Sequence, residues 1–511
     1  MRSGVFVSVL AVVLVLTLFA GCMENGSDAS DTVSDSTIQA KTSADARYES
    51  GISEYANGNY QTAADYFEEA KTLYTGAGLH DAALLAKKKS FTCIRAGGEY
   101  ELNETEAKAS LREKADGITD GEISDWLSNS AQTLFSDGQT WYFYDTAANY
   151  LYENYHLLQK KDSLDFEYMS RDVLSGRMPN TESPYFNPVH YQGTEKFVIP
   201  GDFLTGKGMI RIWFPLPLET ESQTDVSVSN LSYAKYIVNG PITEGGIGYV
   251  FYEIPAEIID GDLTITADIG FTSYEQGFYV DPALVLPYNT KDPEYILYTK
   301  SDRNIEINDA IKAKALEIVG DETNPYNQAI MIYTHIIETY PYSHVPHLSL
   351  DTIVPKTAES TYMLETGHGD CGTQSMFFSA MCRSLGIPAR ATGGYQMILS
   401  EKPGPHFWAE YYIEGYGWIP CDPTVAEAAD WVDISDSKRN AFKEYFGHNL
   451  DNPRFVIQKD VDAEMLPALP DDAILFRLVL QMPAVIYDES DVDIALYSGE
   501  WFSVDLKAIL V

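Results

Sequence analysis

The sequence is poor in cysteine and in positive charge. Five cysteines among 511 residues exclude a small fold held together mainly by disulfide bonds. Lysine and arginine number 35 against 75 aspartates and glutamates, which gives a net charge of −40. Binding to nucleic-acid phosphates needs clustered cations, so nucleic acid is not expected as a partner. The same charge repels anionic lipid head groups and acidic polymers.

The chain does contain many apolar and aromatic side chains. Hydrophobic residues make up 45% of it and aromatic residues 13%, which excludes a mainly disordered protein. A length of 511 residues corresponds to roughly two to four domains. We therefore expect a multidomain α+β protein with extensive hydrophobic cores.

The N-terminus has the pattern of an export signal. Arg2 precedes an uncharged run from Gly4 to Phe19, as in secretory signal peptides. The run ends in Leu-Phe-Ala-Gly before Cys22, which resembles a lipoprotein processing site with Cys22 as the lipidated residue. An uncleaved anchor helix is the alternative, although the run is short for a membrane span. Both interpretations place the rest of the chain outside the cytoplasm, tethered to a membrane.

Changes in composition and in hydrophobic period divide the remaining chain. A stretch rich in Ser, Asp, Thr and Ala follows the signal and cannot bury a core, so it is expected to be a spacer. The predicted organisation is a signal peptide (1–22), a flexible linker (23–45), a helical domain (46–165), a β-sandwich-like domain (185–300), a catalytic domain (301–445) and a β extension (446–511).

The helical domain begins with a pattern that resembles one tetratricopeptide unit. Small residues at three positions would let two antiparallel helices approach, a glycine would form the turn, and two aromatic rings would fill the groove. These positions are Gly51, Ala63, Ala70, Gly58, Tyr60 and Phe67. Further helices are predicted over Ala82–Ala96 and Trp126–Leu158. Since one unit is too few for a stable array, we expect an irregular helical domain packed on its neighbour, with a partner-binding surface as the alternative.

Period-two alternation follows a polar, proline-containing link at Pro179–Pro188. Short alternating strands separated by Gly and Asp turns indicate a β-sandwich. These strands are Met209–Phe214, Val226–Val228, Tyr249–Ile254 and Leu263–Ile269. The tail returns to alternation and is expected to add strands to a neighbouring β unit, at Ile474–Leu480, Val492–Tyr497 and Phe502–Leu510.

A candidate nucleophile lies at the start of a predicted helix. Gly369 and Asp370 form a tight turn before Cys371, and an apolar helix follows over Met376–Leu385. Unpaired N–H groups and the positive end of the dipole at a helix N-terminus favour a thiolate. The same N–H groups could hold a developing oxyanion. Cys382 lies about three turns further along the helix, on an apolar face, and is expected to be a packing residue.

A base and an orienting carboxylate are found on the next predicted hairpin. His406 opens a strand, the segment 414–417 turns the chain, and Asp422 follows the returning strand. Such an Asp would hold the imidazole tautomer while the His transfers the proton. Side chains alternate along a strand, so an even-length loop would put the two residues on opposite faces, whereas an odd loop restores one face.

Four blocks around these residues resemble the transglutaminase-like superfamily. The blocks are Gly369-Asp370-Cys371-Gly372, Leu385-Gly386-Ile387-Pro388-Ala389-Arg390 with Gly393-Gly394-Tyr395, His406-x-Trp408-x-Glu410, and Trp418-x3-Asp422-Pro423-Thr424. Their order is far more specific than any single motif. The resemblance covers residues 305–445, about a quarter of the chain. It implies a papain-like α+β core in which Cys371 is the nucleophile, His406 the base and Asp422 the orienting residue.

Other chemistry-bearing residues have weaker patterns. Four of them could be imagined as a zinc set but lack paired ligand spacing, so no metal is expected; they are His344, His347, His368 and Cys371. Tyr342 could supply an oxyanion donor, as an upstream aromatic does in some relatives, or could simply be packed. Cys421 and Cys382 could approach each other. No glycine-rich phosphate loop follows a strand, so no nucleotide or other cofactor is expected.

Three functions remain open at this stage. The first is a membrane-anchored thiol enzyme that acts on amide bonds of a peptide or protein, with hydrolysis expected over transfer to an amine. The second is a binding or scaffold protein with an inert papain-like domain, as in superfamily members that have lost the triad. In the third, the helical domain dominates by holding the partner that the enzyme processes.

Overall fold

The computed structural model describes residues 35–158, 183–346, 357–397, 402–469 and 481–509. The export signal with Cys22 lies outside these ranges, as do His347 and the strand predicted for Ile474–Leu480. Among the described residues, no helix combines the length and the hydropathy needed to cross a membrane.

The N-terminal region is mainly helical. Its helices are α1 Asp35–Ala56, α2 Tyr60–Gly76, α3 His80–Gly98, α4 Glu104–Lys114, α5 Asp120–Asn129 and α6 Thr146–Glu153. Helices α1 and α2 pack so closely that a Cβ on Gly51 would lie 2.8 Å from the ring of Phe67, and Gly58 turns the chain between them at φ +79. The pair has the local geometry that the glycine spacing predicts, while its assignment as a tetratricopeptide unit stays a prediction.

Two boundaries in this region differ from the sequence-based expectation. Helix α1 begins at Asp35 and buries Ala44 completely, so residues 35–45 are not a flexible linker. The helix predicted over Trp126–Leu158 is wrong, because a hairpin of β1 Thr133–Ser136 and β2 Gln139–Tyr142 separates α5 from α6. Asp137 and Gly138 both have positive φ at its turn, as a two-residue hairpin loop requires.

Two antiparallel sheets follow. One has the order β12-β8-β3-β15, with β5 also paired to β8, and the other has the order β14-β4-β7-β6. Their strands are β3 Tyr185–Ile199, β4 Met209–Pro215, β5 Gln223–Ser229, β6 Ile237–Ile242, β7 Tyr249–Pro255, β8 Leu263–Gly277, β12 Asn449–Leu450, β14 Ala484–Ile486 and β15 Phe502–Ile509. Side chains from both sheets, such as Phe197 and Trp213, belong to one buried cluster. Strand β3 starts within the predicted link at 179–188, with a bulge between Phe186 and Val189.

The C-terminal segment supplies strands to neighbouring sheets. Strand β12 pairs with β8, β14 pairs with β4 and β15 pairs with β3. The strand predicted for Val492–Tyr497 is wrong, because Ile494–Tyr497 form a short 3-10 helix. Ile494 and the neighbouring Ala495 are buried there. The apolar alternation of this segment therefore comes from the packing of the 3-10 turn and not from a strand.

The region predicted to be catalytic combines helices with a third antiparallel sheet, in the order β11-β10-β9-β13. Its elements are α7 Pro293–Thr299, α8 Asp309–Val319, α9 Pro325–Thr339, α10 Glu359–Thr366, α11 Cys371–Ser384, β9 Ala389–Gln396, β10 Gly404–Ile413, β11 Gly417–Cys421, α12 Pro423–Glu427, α13 Asp436–Tyr445 and β13 Arg454–Gln458. Helix α11 is buried from Gly372 to Arg383. It therefore forms the centre of this core, with only its two end residues, Cys371 and Ser384, half-exposed.

Candidate active site

Cys371 is the first residue of α11. Asp370 caps the helix, and its carboxylate accepts the N–H of Thr373 at 3.0 Å. The Cys371 side chain is half-buried, unlike Cys382 on the same helix, which is completely buried. The thiol thus meets solvent at the positive end of a buried helix, where a thiolate is favoured.

His406 and Asp422 are in direct contact. Nε2 of His406 lies 2.8 Å from Oδ2 of Asp422, and both side chains are buried. The hairpin loop has three residues, 414–416, between the paired residues Ile413 and Gly417. In this register the position of Asp422 is two residues along from that of His406, and the odd loop length puts the two side chains on the same face of the sheet.

The nucleophile's helix packs against the strand that carries the base. A Cβ on Gly372 would lie 3.4 Å from the ring of Phe407, the residue after His406. Since Nε2 of His406 is bound to Asp422, Nδ1 is the ring nitrogen that remains for proton exchange with a thiol. The structure therefore packs the helix that begins at Cys371 against the strand of His406, and it brings His406 and Asp422 into contact. The roles of nucleophile, base and orienting carboxylate stay predictions.

Asp422 has a second charged partner, Arg454 on β13, which the sequence-based reasoning missed. Nη1 of Arg454 donates to Oδ2 of Asp422 at 2.7 Å, and the N–H of Val425 donates to Oδ1 at 3.0 Å. Burial alone would raise the pKa of Asp422, but His406 and Arg454 outweigh it and lower the pKa to about 2. The carboxylate therefore stays ionised and can stabilise an imidazolium at all ordinary pH values.

The same guanidinium holds Asp451. Nε and Nη2 of Arg454 lie 2.9 and 2.6 Å from Oδ1 of Asp451. Burial raises the pKa of Asp451, in contrast to Asp422. The two carboxyls differ in their charged neighbours, because Asp422 also contacts His406, which lowers its pKa, whereas the nearby carboxylate of Asp422 raises the pKa of Asp451 further.

A buried polar network connects the nucleophile's helix to the helix that follows Asp422. Gln374 of α11 donates to Oε1 of Glu427 at 2.7 Å and accepts the hydroxyl of Thr424 at 2.6 Å. Glu427 also accepts the backbone N–H of Tyr342 at 2.7 Å. Burial raises the pKa of Glu427 well above its usual range. No short sequence motif marked this network, since its members come from three separate segments.

The other sequence candidates have different surroundings. The ring of Tyr342 packs against the aromatic rings of Tyr152 and Trp431, with centroids 5.0 and 5.7 Å away, and its role as an oxyanion donor stays a prediction. Cys382 and Cys421 are both buried free thiols. Burial raises the pKa of each well above the usual range, which makes both poor nucleophiles.

Two of the histidines considered as zinc ligands, His344 and His368, form hydrogen bonds with the helical region. Nδ1 of His344 is hydrogen-bonded to Asp145, and Nε2 of His368 donates to the carbonyl oxygen of Ser130 at 2.8 Å. Burial lowers the pKa of His368. Within the described ranges, no group of three or more His, Cys, Asp or Glu side chains is placed to hold a metal ion.

Two further residues of the family blocks have a structural role. Arg390 and Glu410 face each other across β9 and β10, with Nε of the arginine 2.6 Å from Oε2 of the glutamate. The guanidinium also stacks on the ring of Trp418, 3.9 Å from its centroid. Glu410 lies four residues along β10 from His406, so the pair stabilises the hairpin rather than touching the reacting groups.

Comparison with known proteins identifies the domain that carries the site. The family model of the transglutaminase-like superfamily core matches residues 312–423. The chain therefore contains a transglutaminase-like domain, and Cys371, His406 and Asp422 all lie within it. A protein-glutamine gamma-glutamyltransferase of Pseudomonas aeruginosa is 28% identical over 81 residues, which are 14% of this chain and 12% of that protein.

Longer similarities extend beyond this domain. An uncharacterized protein of Haemophilus influenzae is 26% identical over 307 residues, covering 53% of this chain and 79% of that protein. A Cytophaga hutchinsonii structure, provisionally assigned as a cysteine protease, covers 64% of this chain and 93% of its own at 17% identity and a TM-score of 0.39. The periplasmic domain of TgpA from Pseudomonas aeruginosa covers 48% of this chain and 98% of its own at 13% identity and a TM-score of 0.23.

Proposed function

We propose that this protein is a cysteine peptidase or amidase that cleaves peptide or side-chain amide bonds through an acyl-enzyme. The observation that carries the proposal is the buried His406–Asp422 pair at 2.8 Å, beside a half-exposed Cys371 at the first position of a buried helix. These three residue types in this arrangement are those of a nucleophile, a general base and its orienting group.

The reaction then proceeds in two halves. The thiolate of Cys371 attacks the amide carbonyl carbon, and N–H groups of the first turn of α11 can stabilise the oxyanion. The imidazolium of His406 gives its proton to the amide nitrogen, which leaves as an amine, and a thioester remains on Cys371. In the second half His406 takes a proton from water, the hydroxide attacks the thioester, and a carboxylic acid product and the thiol are released.

Hydrolysis is favoured over transfer because transfer needs a way to exclude water while an amine enters. The two tryptophans that flank the hairpin, Trp408 and Trp418, are 1% and 7% exposed and belong to the core. Trp408 is therefore too deeply buried to line an amine channel. An enzyme outside the cytoplasm also meets water in large excess over amines.

Transamidation is the second candidate, and a specific observation favours it. The Pseudomonas aeruginosa relative that matches 81 residues of this chain is a protein-glutamine gamma-glutamyltransferase. An inert binding or scaffold protein is disfavoured because all three residues of the triad are present, and because His406 and Arg454 both bond the buried carboxylate of Asp422.

A partitioning experiment separates the two reactions. The full chain is given a glutamine-containing peptide library together with a tagged primary amine at millimolar concentration, and products are measured by mass spectrometry. Mainly hydrolysed peptides support the proposal, whereas tagged peptides in large excess would establish transamidation. Cys371→Ala must abolish either product, and Cys382→Ala, which removes a buried thiol of the same helix, must abolish neither.

We further propose that the protein is exported and anchored to a membrane through a lipid on Cys22. The sequence before Cys22 supports this, because it combines an uncharged apolar run with small residues at the cleavage position. The wild-type protein should take up a labelled fatty acid and Cys22→Ser should not. A mature wild-type chain that still begins at Met1 and carries no lipid would refute the assignment.

A further inference from the structure

Buried side chains of the helical region hold one loop of the catalytic domain, residues 342–344. Asn149 of α6 is 1% exposed. Its Oδ1 accepts the N–H of His344 at 2.8 Å, and its Nδ2 donates to the carbonyl oxygen of the same residue at 2.9 Å. Gln132 donates to that carbonyl at 2.7 Å. Both backbone hydrogen-bonding groups of His344 are thus satisfied by the helical region.

The loop is bonded in turn to the tight turn that carries the nucleophile. The N–H of Ser343 donates to the carbonyl oxygen of Gly369 at 2.9 Å, and the N–H of Gly369 donates to Oγ of Ser343 at 2.9 Å. Ser343 is completely buried, and Gly369 precedes Cys371 by two residues. Because these bonds are reciprocal and buried, a displacement of the loop would displace the turn.

A second connection runs from the same loop to the helices on both sides of the site. The N–H of Tyr342 donates to one oxygen of Glu427, whose other oxygen accepts Nε2 of Gln374 in α11. Glu427 ends α12, the helix that Asp422 caps. The loop therefore contacts the elements that carry the nucleophile and the orienting carboxylate.

The helical region is itself fixed at a second place. Arg95 of α3 forms a buried ion pair with Asp493, and Lys87 donates to the carbonyl oxygens of Asp488 and Ser490. The helical region is thus attached to the rest of the chain at two places, through α3 to the C-terminal segment and through α6 to the loop 342–344.

We propose that Asn149 is a positioning residue of the active site, through which the helical region sets the place of Cys371 relative to His406. This inference rests on the proposed function, in which Cys371 is the nucleophile. Rates of nucleophilic steps depend steeply on such placement, and a displacement of about 1 Å can cost on the order of 100-fold. The helical region then acts as a built-in part of the enzyme, in addition to any partner that it binds.

The test is the reactivity of the thiol, which needs no substrate. Full-length wild type, Asn149→Ala and the control Asn154→Ala are treated with iodoacetamide between pH 5 and 9, and alkylation of Cys371 is followed by mass spectrometry. Asn154 lies just beyond α6, and its side chain donates to the carbonyl of Tyr150 in that helix. We expect Asn149→Ala to react at least about tenfold more slowly at pH 6, with its pH midpoint raised, and Asn154→Ala to match wild type.

A second variant acts from the catalytic side of the same connection. Ser343→Ala removes the hydroxyl that accepts the Gly369 N–H, and it should slow alkylation in the same way. Combined with Asn149→Ala it should add little, because both changes break one path. Ser343→Ala also decides the question should Asn149→Ala fail to fold.

The outcomes separate this proposal from the one on which it rests. A reactive wild-type Cys371 with unchanged rate and pH midpoint in folded Asn149→Ala or in Ser343→Ala would overturn the positioning role and leave the proposed function intact. A wild-type Cys371 that does not react at pH 6 would overturn both.

Discussion

Replacement of Arg454 by methionine is expected to destabilise the catalytic domain severely. The guanidinium is 2% exposed and bonds Asp422 and Asp451 through three of its hydrogen-bond donors. Methionine keeps much of the apolar bulk but leaves two buried carboxylates without their cation. Removal of one partner from a buried ion pair typically costs about 3–5 kcal/mol, so we expect a loss of that size in the free energy of unfolding at neutral pH.

The pH dependence of the free energy of unfolding gives a second expected effect of the Arg454 replacement. The pKa of Asp422 in the folded protein is about 2, against an ordinary value of 3.8, and a difference of nearly two units corresponds to roughly 2 kcal/mol. Because the folded-state pKa is the lower one, this stabilisation is present above about pH 4 and is lost as the pH falls towards 2. Without Arg454 the folded-state pKa rises, so acid destabilisation should begin at a higher pH.

Denaturant unfolding followed by tryptophan fluorescence, at several pH values between 3 and 8, measures both effects. Arg211→Met is a suitable control, because Arg211 forms a surface pair with Glu253 at 3.5 Å in which both side chains are more than a third exposed. Such a pair is worth about 0–1 kcal/mol. A loss of less than about 1 kcal/mol in Arg454→Met, with an unchanged acid profile, would refute the assigned role of Arg454.

Three further changes test other parts of the molecule. Asp422→Asn keeps the shape of the side chain but favours the wrong imidazole tautomer, and steady-state kinetics should show kcat reduced by about 10³–10⁴-fold. Gly394→Ala would place a Cβ 1.9 Å from a carbonyl oxygen of β13. It should lower the free energy of unfolding, measured by thermal unfolding, by about 3 kcal/mol or more. In the control Gly98→Ala a Cβ would meet nothing within 4 Å, so the free energy of unfolding should change by less than about 0.5 kcal/mol. Arg95→Ala breaks the buried pair with Asp493 and should increase hydrogen exchange in α3 strongly, while an unchanged exchange rate would contradict the rigid attachment of the helical region.

The local features of the site could be predicted because each of them depends on a short, continuous segment of the sequence. A Gly-Asp turn before a helix identified Cys371, and a strand–turn–strand pattern placed His406 and Asp422 on one hairpin. The three-residue loop could not be fixed beforehand, since the segment 414–417 allowed even and odd lengths. The structure decides it by pairing Ile413 with Gly417.

The features that were missed depend on contacts between distant segments. Asn149 and His344 are 195 positions apart, and Asp422 and Arg454 are 32 positions apart, so neither pair forms a motif. The hairpin inside the range Trp126–Leu158 did have a signal, because an Asp-Gly dipeptide between alternating residues is typical of a two-residue turn. Helical spacing of the surrounding aromatic residues obscured it.

The central claim is that Cys371 is an activated thiol, and its reaction with iodoacetamide at pH 6 tests this most directly. An ordinary thiol with a pKa near 8.5 is almost wholly protonated at that pH, whereas a thiolate favoured by the helix N-terminus and His406 reacts readily. We predict stoichiometric alkylation of Cys371 in the folded protein, at a rate at least about tenfold above that of His406→Ala, with the buried Cys382 and Cys421 unmodified. A folded wild-type protein in which Cys371 remains unmodified, or reacts no faster than in His406→Ala, would contradict the account.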